Sequence, residues 1–499
     1  MQRDLSWLVG ELRALAGDLD YESQRSPLVL AIDQGGHASR VIAFDREGKQ
    51  HAESFAPIST FRAGLDRVEH DANEIVESIR TALADVAQAL GDDVERVVAA
   101  GLATQRSSIV CWDQRTGQPL SPVLSWQDRR AAKFIETLRE QEPMVRATTG
   151  LVLSAHYGAS KLKWCLENLP KVQAAKSNLR LNAGPLASYL MFALLSERPR
   201  LIDPANASRT LLWDVNTATW SSQLLKLFDI PEDILPSCVA TRHEFGHLPF
   251  GSGAIPLVVC TGDQSAMPFA AGPIEKTAIY LNAGTGAFLQ RIAESGATPG
   301  DRLLRSVLWA DAQERWHTQE GTVNAAGAAL DWLNERVGVD THRAALAMTR
   351  EHAAADVPIF VNALSGIGSP FWLPQVDSRF IGEGDEAQLV QAVVESIAFL
   401  ICTNIACMRG SQPVDRVIAS GGLSQSEYLC ECVATLSGLP LDQLAMREAT
   451  ATGLAYLIFG MPSSWRSDVK SKRFEPHPNA NLTRRFELWQ REMAGLTAR

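Results

Sequence analysis

Two segments of this 499-residue chain share one design, and the repeat limits the fold more than any other feature. Residues 28–42 and residues 278–292 each contain an apolar strand, a short polar turn rich in glycine, and a second apolar strand. Two copies of one unit predict two domains of similar topology, and a chain of this length is too long for one compact core. The domain boundary is expected between Gly262 and Lys276.

The elements that follow the first unit are those of an α/β domain. Strands are predicted over Leu28–Asp33, Arg40–Phe44 and around His51–Pro57, a helix over Asn73–Leu90, and a further strand over Val94–Ala103. Strands and helices continue to alternate along the chain, which predicts a mixed sheet covered by helices.

Composition and charge exclude several function classes. Hydrophobic residues make up 46% and charged residues 21%, as in globular proteins. A net charge of -10 argues against a nucleic-acid binder, whose affinity depends on clustered lysine and arginine, so a small polar substrate is expected. The eight cysteines form no CxxC pair and are predicted to be reduced core residues of a cytoplasmic protein. Cys430 and Cys432 are two residues apart and would point to different faces of a helix, which argues against a metal site there.

The first 26 residues form a separate segment with a helical pattern. Its leucines recur in alternating steps of three and four, which predicts an amphipathic helix that packs on its own protein or joins two subunits: Leu5, Leu8, Leu12, Leu15 and Leu19. Acidic residues interrupt the segment, so neither a signal peptide nor a membrane span is predicted there, and no other segment is expected to span a membrane.

Three glycine-rich turns follow predicted strands, at Asp33–Gly36, Asn282–Gly286 and Ser420–Ser424. Glycines let backbone N–H groups approach a phosphate closely, and a carboxylate such as Asp33 can hold magnesium through water. Each turn alone is most often only a turn, but the first two occupy matching points of the two repeats. The chain contains neither a Walker-type loop nor a GxGxxG sequence, so a nucleotide site here is neither a P-loop nor a Rossmann site.

A buried strand predicted over Ala254–Cys260 runs directly into the polar residues of Thr261–Ser265. At a domain boundary this stretch is expected at the mouth of a cleft, where ligand pockets form. Asp263 can cap a helix that starts at Gln264, or it can take part in chemistry, and the two roles are compatible.

Eleven motifs occur in an order that resembles the FGGY family of carbohydrate kinases, and most closely its glycerol kinases. They are VLAIDQGGHASRVIAFD, VEHDA, TQRSS, LSWQDRR, SKLKW, NASRTLLW, CTGDQS, NAGTGAF, GSPFWLP, ASGGLS and EATATGLAY. The resemblance extends from Leu28 to about Pro476. It implies an α/β fold of two ribonuclease-H-like domains, of the actin and hexokinase type, with a catalytic cleft between them. The implied segments are an N-terminal helical extension (1–26), a substrate-side domain (27–271), a nucleotide-side domain (272–480) and a C-terminal helical tail (481–499).

The resemblance also implies an activity and a set of site residues. The activity is ATP-dependent phosphorylation of a hydroxyl of a small polyol or sugar, with Asp263 as the general base and Asp33 as the residue that orients Mg2+. The residues implied for ATP are Gly35, Arg40, Gly284, Thr285, Gly286, Gly421 and Gly422. Those implied for the acceptor are Arg106, Ser107, Trp126, His156, Asp263, Gln264 and Phe288. Two donors of Arg106 are expected to reach vicinal hydroxyls. A homodimer or homotetramer without nucleic-acid or membrane partners is expected.

The chain departs from the glycerol kinase pattern at several of these positions. Ser107 replaces a glutamate and His156 replaces a tyrosine, so a longer polyol or a ketose is an alternative acceptor to glycerol. Gly36 and His37 replace two threonines, and Ser420 replaces an aspartate. The loop at 379–388 is short, before a helix predicted from Leu389. An ATP-binding regulatory protein without phosphoryl transfer, and an actin-like or chaperone-like ATPase, are the alternatives from other classes.

Overall fold

The computed structural model describes residues 26–64, 66–293, 302–373, 375–410, 413–446, 448–463, 465 and 471–497. The N-terminal helix expected from the leucine pattern lies outside the described residues. The helices described are α1 Ala72–Leu90, α2 Ala132–Glu136, α3 Glu142–Thr149, α4 Gly158–Asn168, α5 Pro170–Ser177, α6 Leu186–Leu194, α7 Pro204–Ala207, α8 Ser222–Phe228, α9 Asp263–Ala266, α10 Gly327–Asn334, α11 Thr341–Ala347, α12 Glu386–Met408, α13 Glu427–Ser437, α14 Ala449–Ile458 and α15 Ala480–Thr497.

The strands described are β1 Leu28–Gln34, β2 Ala38–Phe44, β3 Gln50–Pro57, β4 Phe61–Ala63, β5 Arg67–His70, β6 Val97–Thr104, β7 Ile109–Asp113, β8 Val123–Leu124, β9 Leu181–Pro185, β10 Leu201–Ile202, β11 Trp213–Asp214, β12 Thr219–Trp220, β13 Ser237–Cys238, β14 Arg242–Phe250, β15 Gly253–Gly262, β16 Ala278–Ala283, β17 Ala287–Ala293, β18 Leu304–Ala310, β19 Arg315–Val323, β20 Ile359–Val361, β21 Arg379–Ile381, β22 Arg416–Ser420, β23 Leu441–Leu444 and β24 Ser471–Phe474.

The two large sheets have the same core topology. The first has the order β14-β15-β6-β1-β2-β3, in which β1, β6 and β15 are parallel and β1, β2 and β3 are successively antiparallel. The second has the order β18-β19-β17-β16-β22-β23-β24, with β16, β22 and β23 parallel and β16, β17 and β19 successively antiparallel. Each repeat predicted from the sequence is therefore the first hairpin of one sheet, and the predicted two-domain α/β class is confirmed.

Parallel strands end at one edge of a sheet, and this places the polar turns together. In the first sheet Gln34 and Gly262 both pair with Thr104, so β1, β6 and β15 end side by side. In the second sheet Asn282 pairs with Ser420, so β16 and β22 also end side by side. The continuous apolar runs of these strands are buried, as expected for strands covered on both faces.

Helix α14 crosses from the second half of the chain onto the first sheet. Its apolar residues share one buried cluster with those of β1 and β6. The contact is so close that an added Cβ atom at Gly101 would lie 2.8 Å from Ile458 Cδ1, and one at Gly453 would lie 2.0 Å from the carbonyl oxygen of Ala266. The two sheets are thus joined by a helix that leaves no room for larger side chains.

Two predicted boundaries are wrong by a few residues. Val94 belongs to a 3-10 helix, Gly91–Arg96, that precedes β6, because Gly91 ends α1 with a positive φ of 55° and the chain needs a further turn before the strand. Helix α12 begins at Glu386 rather than at Leu389, because Asp385 and Gln388 form a capping box.

Helix α12 also corrects the expectation that no segment reaches membrane-spanning length. It is the one described helix that is long and apolar enough to cross a membrane by length and composition. In the folded protein 83% of its apolar window is buried, so the helix belongs to the core of the second domain. It carries a buried carboxylate, Glu395, whose partner comes from α15.

The C-terminal helix is attached to this core by an ion pair. Arg485 donates from Nε to Glu395 Oε2 and from Nη2 to Glu395 Oε1, each at 2.6 Å, and Tyr428 donates its hydroxyl to the same Oε1 at 2.6 Å. Glu395 and Arg485 are 1% and 4% exposed. A charge pair this deep requires both members, because either alone is an unpaired buried charge.

Replacing Arg485 by methionine therefore tests the attachment of α15. We expect Arg485→Met to lower the free energy of unfolding by about 3–5 kcal/mol, since Glu395 loses its counter-ion. Urea denaturation followed by tryptophan fluorescence would measure it. The exposed Arg491 of the same helix supplies the control, Arg491→Met, which should change stability by less than about 0.5 kcal/mol. Equal stabilities of the two variants would contradict the assignment.

Candidate active site

The carboxyl edge of the first sheet gathers three of the predicted site residues. Asp33 lies near the end of β1, Arg106 follows β6, and Asp263 follows β15. These strands are adjacent and parallel, so residues that are far apart in sequence converge at one edge. The stretch after β15 is polar because it leaves a buried strand and enters this shared edge.

Asp263 is the first residue of the short helix α9, and its Oδ1 accepts the backbone N–H of Gln264 at 2.7 Å. The expected cap is therefore wrong: the helix begins at Asp263 rather than at Gln264, and its N-cap residue is Gly262, which makes no side-chain cap bond. The chemical role of Asp263 stays a prediction. Burial raises the pKa of Asp263, while the charges of Arg106 and Arg209 act in the opposite direction. Because burial outweighs the two guanidinium charges, Asp263 is a stronger proton acceptor than an aspartate in water.

Asp33 fits the role of a cation-binding carboxylate. Burial, together with the negative charge of Asp263, raises the pKa of Asp33 to about 7, although Arg40 opposes this. A divalent cation would relieve the repulsion between the two carboxylates. Among the described residues no group of three or more His, Cys, Asp or Glu side chains could enclose a metal ion. Mg2+ at Asp33 would thus keep water and phosphate ligands, as this ion usually does.

Arg40 contacts a residue of the second domain, which sequence reasoning missed. Its Nη1 forms an ion pair with Glu448 Oε2, and Glu448 directly precedes helix α14. The neighbouring turn is fixed by backbone bonds, since Gly35 N donates to Ala38 O at 2.9 Å. Arg40 therefore connects the two domains beside Asp33. A phosphate bound there would share the guanidinium group of Arg40 with Glu448.

Arg106 differs from its expected arrangement. The sequence suggested that two of its donors face substrate hydroxyls, but Nη1 and Nη2 donate to Glu320 at 2.7 and 3.2 Å. Glu320 lies on β19 of the second sheet, so the pair crosses the domain boundary. Two of the five guanidinium N–H donors are therefore taken by a carboxylate of the other domain, and the predicted contact of Arg106 with acceptor hydroxyls stays a prediction.

The side chain of Arg106 leaves no room for a side chain at Gly262 of the CTGDQS motif. An added Cβ atom at Gly262 would lie 2.5 Å from both Cγ and Cδ of Arg106. The aliphatic part of the arginine runs across the end of β15, where only glycine leaves enough space. The glycine before Asp263 thus determines where the guanidinium group lies.

Two of the positions that depart from the glycerol kinase pattern, Ser107 and His156, are bound by one buried lysine. Lys161 Nζ donates to the carbonyl oxygens of Ser107 and His156, at 3.0 and 2.7 Å. Ser107 has a positive φ of 66°, which is unusual for a non-glycine residue. Burial lowers the pKa of Lys161 to about 7, with the charge of Asp128 opposing. The lysine is fully buried and uses its donors to shape the backbone at both positions.

The ring of His156 packs against a second aromatic residue that was also predicted for the acceptor site. The rings of Trp126 and His156 meet edge to face with centroids 5.3 Å apart. Burial lowers the pKa of His156 well below its usual range, and the charges of Lys161 and Arg209 add to the effect, so its imidazole is neutral near pH 7. Gln264 accepts a bond from Asn282 Nδ2 at 3.2 Å, across the cleft.

Phe288 lies on β17 opposite Asn282, which is the residue that bonds to Gln264. Its side chain is half-buried. Phe288 is therefore the strand partner of a residue that bridges the cleft, and its predicted contact with the acceptor stays a prediction.

The glycine turns of the second sheet border a cavity of about 210 Å3. The predicted residues Gly284, Thr285 and Gly422 line it, together with residues that were not predicted, namely Gly327, Asp331, His342, Leu346 and Leu423. The 284–286 turn is braced by the start of α10, where Gly327 N and Ala326 N donate to Gly284 O and Thr285 O, each at 2.9 Å. Within the turn, Gly284 N donates to Gly286 O at 2.8 Å, and Gly421 packs against the carbonyl oxygen of Ala283.

Several functional candidates were missed, although three of them lie in motifs that were recognised. Arg209 belongs to NASRTLLW, Lys161 to SKLKW and Glu448 to EATATGLAY. The sequence signal for Glu320 is only a carboxylate in an otherwise strand-like stretch, RWHTQEGTV.

Comparisons with known proteins agree with the geometry. Models of the FGGY family of carbohydrate kinases match residues 28–270 with the N-terminal domain and residues 279–459 with the C-terminal domain. The chain is 31% identical to a glycerol kinase of Nitratidesulfovibrio vulgaris over 489 residues, which covers 93% of this chain and 98% of that protein.

Solved structures share the fold. The glycerol kinase of Plasmodium falciparum with ADP superposes with a TM-score of 0.84 at 21% identity, covering 94% of this chain and 98% of that one. The ligand-bound xylulose kinase of Lactobacillus acidophilus gives a TM-score of 0.80 at 18% identity, covering 95% and 99%.

Gly421 offers a test of the predicted nucleotide-binding role of this cavity. Its φ is 93°, and an added Cβ atom would lie 2.4 Å from the carbonyl oxygen of Ala283, at the start of the 284–286 turn. We expect Gly421→Ala to weaken ATP binding by about tenfold to a hundredfold, because the strain is relieved only by moving that turn. Isothermal titration with ATP would measure it. Gly495→Ala, where a Cβ atom meets nothing within 4 Å, is the control, and unchanged affinity in both variants would contradict the role of Gly421.

Proposed function

The chain belongs to the FGGY family of carbohydrate kinases, and we propose that Asp263 is the general base of its phosphoryl transfer. The predicted family, the two-domain fold and the ATP-dependent kinase activity on an alcohol group are confirmed. The roles of individual residues, the identity of the acceptor and the magnesium site are proposals.

The observation that carries the proposal is the place of Asp263. It lies at the carboxyl edge of the first sheet, beside Arg106 and Asp33, and the glycine turns of the second sheet lie across the cleft. In the proposed reaction Asp263 accepts the proton of the acceptor hydroxyl. That oxygen forms a bond to the γ-phosphorus of ATP, the bond from the γ-phosphorus to the β,γ-bridging oxygen breaks, and ADP leaves with the electron pair.

The remaining site residues position the two substrates in this scheme. Gly284, Thr285 and Gly286 approach the phosphates, Gly421 and Gly422 border the adenosine, and Gly35 and Arg40 approach the phosphates from the first domain. Asp33 would hold Mg2+, which supplies charge compensation for the phosphates when bound. The cavity lined by Gly284, Thr285 and Gly422 supports this placement.

We propose that the acceptor is a small polyol or sugar, with glycerol as one candidate and a longer polyol or a ketose as another. The relatives called glycerol kinase favour glycerol. Ser107 favours the longer acceptors, because a serine in place of a glutamate leaves more room and removes a negative hydrogen-bond acceptor. Trp126 and His156 would face the carbon chain, while Arg106 and Gln264 would face hydroxyls.

We also propose a cellular location and an oligomeric state. Cytoplasmic location is proposed because the cysteines described are all free, six of them buried. A homodimer or homotetramer is proposed as the assembly. The alternative of a regulatory protein that binds ATP without transfer rests on the loss of two threonines after Gly35, and the first experiment below distinguishes it.

The proposed base is tested by Asp263→Asn. ADP release would be measured with ATP, Mg2+ and a panel of glycerol, erythritol, arabitol, xylitol, ribulose, xylulose and gluconate. We expect one or more acceptors to give turnover and Asp263→Asn to lower kcat by roughly 10²–10⁴-fold with ATP binding unchanged. The exposed Asp311 gives the control Asp311→Asn, which should keep full activity. Full activity of Asp263→Asn would remove it from the mechanism, and ATP binding without turnover on any acceptor would favour the regulatory alternative.

The raised pKa of Asp263 predicts how the rate depends on pH. Only the ionised carboxylate accepts a proton, so kcat/KM should fall as the pH drops through a pKa above 3.8, the usual value for aspartate. Rates at saturating Mg2+ and ATP, measured with the acceptor below its KM as the pH is lowered from neutral toward the usual aspartate pKa of 3.8, would reveal this limb. The small residual rate of Asp263→Asn should lack it, and the same limb in that variant would assign it to another group.

A further inference from the structure

We propose that Glu320 is a positioning residue that holds Arg106 in the acceptor pocket and completes that pocket only when the two domains are together. The inference rests on the proposed function, because it takes the residues around Asp263 to be the acceptor pocket. Nothing in the sequence motifs assigns a role to Glu320, which lies on the second sheet, whereas Arg106 and Asp263 lie on the first.

Glu320 binds two arginines of the other domain. Its Oε1 accepts from Arg106 Nη1 at 2.7 Å, and its Oε2 accepts from Arg106 Nη2 at 3.2 Å and from Arg209 Nη1 at 2.9 Å. The side chains of Arg106, Arg209 and Glu320 are 6%, 4% and 3% exposed. A buried carboxylate with two guanidinium partners is a strong cross-link, because none of the three charges can turn to water.

Neighbours on its own sheet fix the carboxylate as well. Gln290 Nε2 and Thr318 Oγ1 donate to Glu320 Oε1 at 3.2 and 3.4 Å. Burial by itself raises the pKa of Glu320, but the charges of Arg106 and Arg209 and the hydrogen bonds outweigh it and lower the pKa to about 2. Glu320 is therefore an anion with both oxygens occupied, so it does not itself bind an acceptor hydroxyl.

Arg106 is then held at two points. Gly262 fits against its Cγ and Cδ atoms, and Glu320 fixes the plane of its guanidinium group. A guanidinium group has five N–H donors, and the forked bond to Glu320 uses two of them. The other three remain for groups in the cleft next to Asp263, whose pKa Arg106 lowers through its charge. An arginine held this way loses little freedom when it binds a hydroxyl.

The consequence is a coupling between domain position and acceptor binding. If the second domain moves away from the first, Glu320 leaves with it, and Arg106 and Arg209 are left as two like charges near one another. Arg106 then has no fixed orientation. The acceptor is therefore expected to bind tightly only to the arrangement in which Glu320 contacts both arginines, which is also the arrangement that brings ATP to the cleft.

A matched pair of variants tests this. Glu320→Gln and Glu395→Gln each remove the charge of a buried glutamate that an arginine binds with a fork, one at the cleft and one under the C-terminal helix. We expect both variants to have a lower Tm. Only Glu320→Gln should raise the KM for the acceptor, by tenfold or more, while the KM for ATP stays within twofold. An unchanged acceptor KM in Glu320→Gln, or an equal rise in Glu395→Gln, would overturn the proposal.

A second variant covers the case in which Glu320→Gln does not fold. Glu320→Asp keeps the charge and withdraws the carboxylate by one methylene, so Arg106 should be misplaced without an uncompensated charge. We expect the acceptor KM of Glu320→Asp to exceed the parental value, and a parental value would overturn the proposal. Failure of the proposed function would instead appear in the parent protein, as no turnover with any acceptor of the panel.

Discussion

The packing of helix α14 against the first sheet is the constraint on which the site depends. The helix belongs to the second half of the chain by sequence, but its apolar face is buried with the residues of β1 and β6. Gly101 and Gly453 make this approach possible, since a methyl group at either position would overlap existing atoms. The same helix begins next to Glu448, the partner of Arg40, and packs against α9, which begins with Asp263. Packing of apolar side chains thereby sets the distance between the two edges that carry the polar turns.

Ion pairs join the two domains at the cleft, in addition to the apolar contacts of α14. Arg106 and Arg209 bind Glu320, and Arg40 binds Glu448, so the first domain supplies the cations and the second the anions. Charge pairs of this kind have directions and lengths that hydrophobic contacts lack, which suits a cleft whose walls must meet in one arrangement. The charges of Arg106 and Arg209 also oppose the effect of burial on the pKa of Asp263.

The side of the cleft proposed for the acceptor has a different design. Its two unusual positions, Ser107 and His156, both accept a hydrogen bond from Lys161 Nζ through their carbonyl oxygens, so one side chain supports both backbone segments. The neutral imidazole of His156 contacts Trp126 by its edge. Selectivity in this enzyme is therefore expected to depend on the backbone support as much as on the side chains that face the acceptor.

The sequence alone determined the repeat, the order of the motifs and the turns that carry glycine, because these depend on the local alternation of apolar and polar residues. It also singled out Asp33 and the glycine turns, because polar residues follow apolar strands there, and the resemblance to the family gave Asp263 and the turns their expected roles, which stay predictions. It misplaced the start of α12 by three residues, because capping by Asp385 outweighs the apolar pattern that begins at Leu389. Only the tertiary structure decided the partner of Arg106, because the two residues are 214 positions apart and no local pattern relates them. The roles of Lys161 and α14 were likewise decided by packing, since a buried lysine and an apolar helix have the same sequence signals wherever they lie.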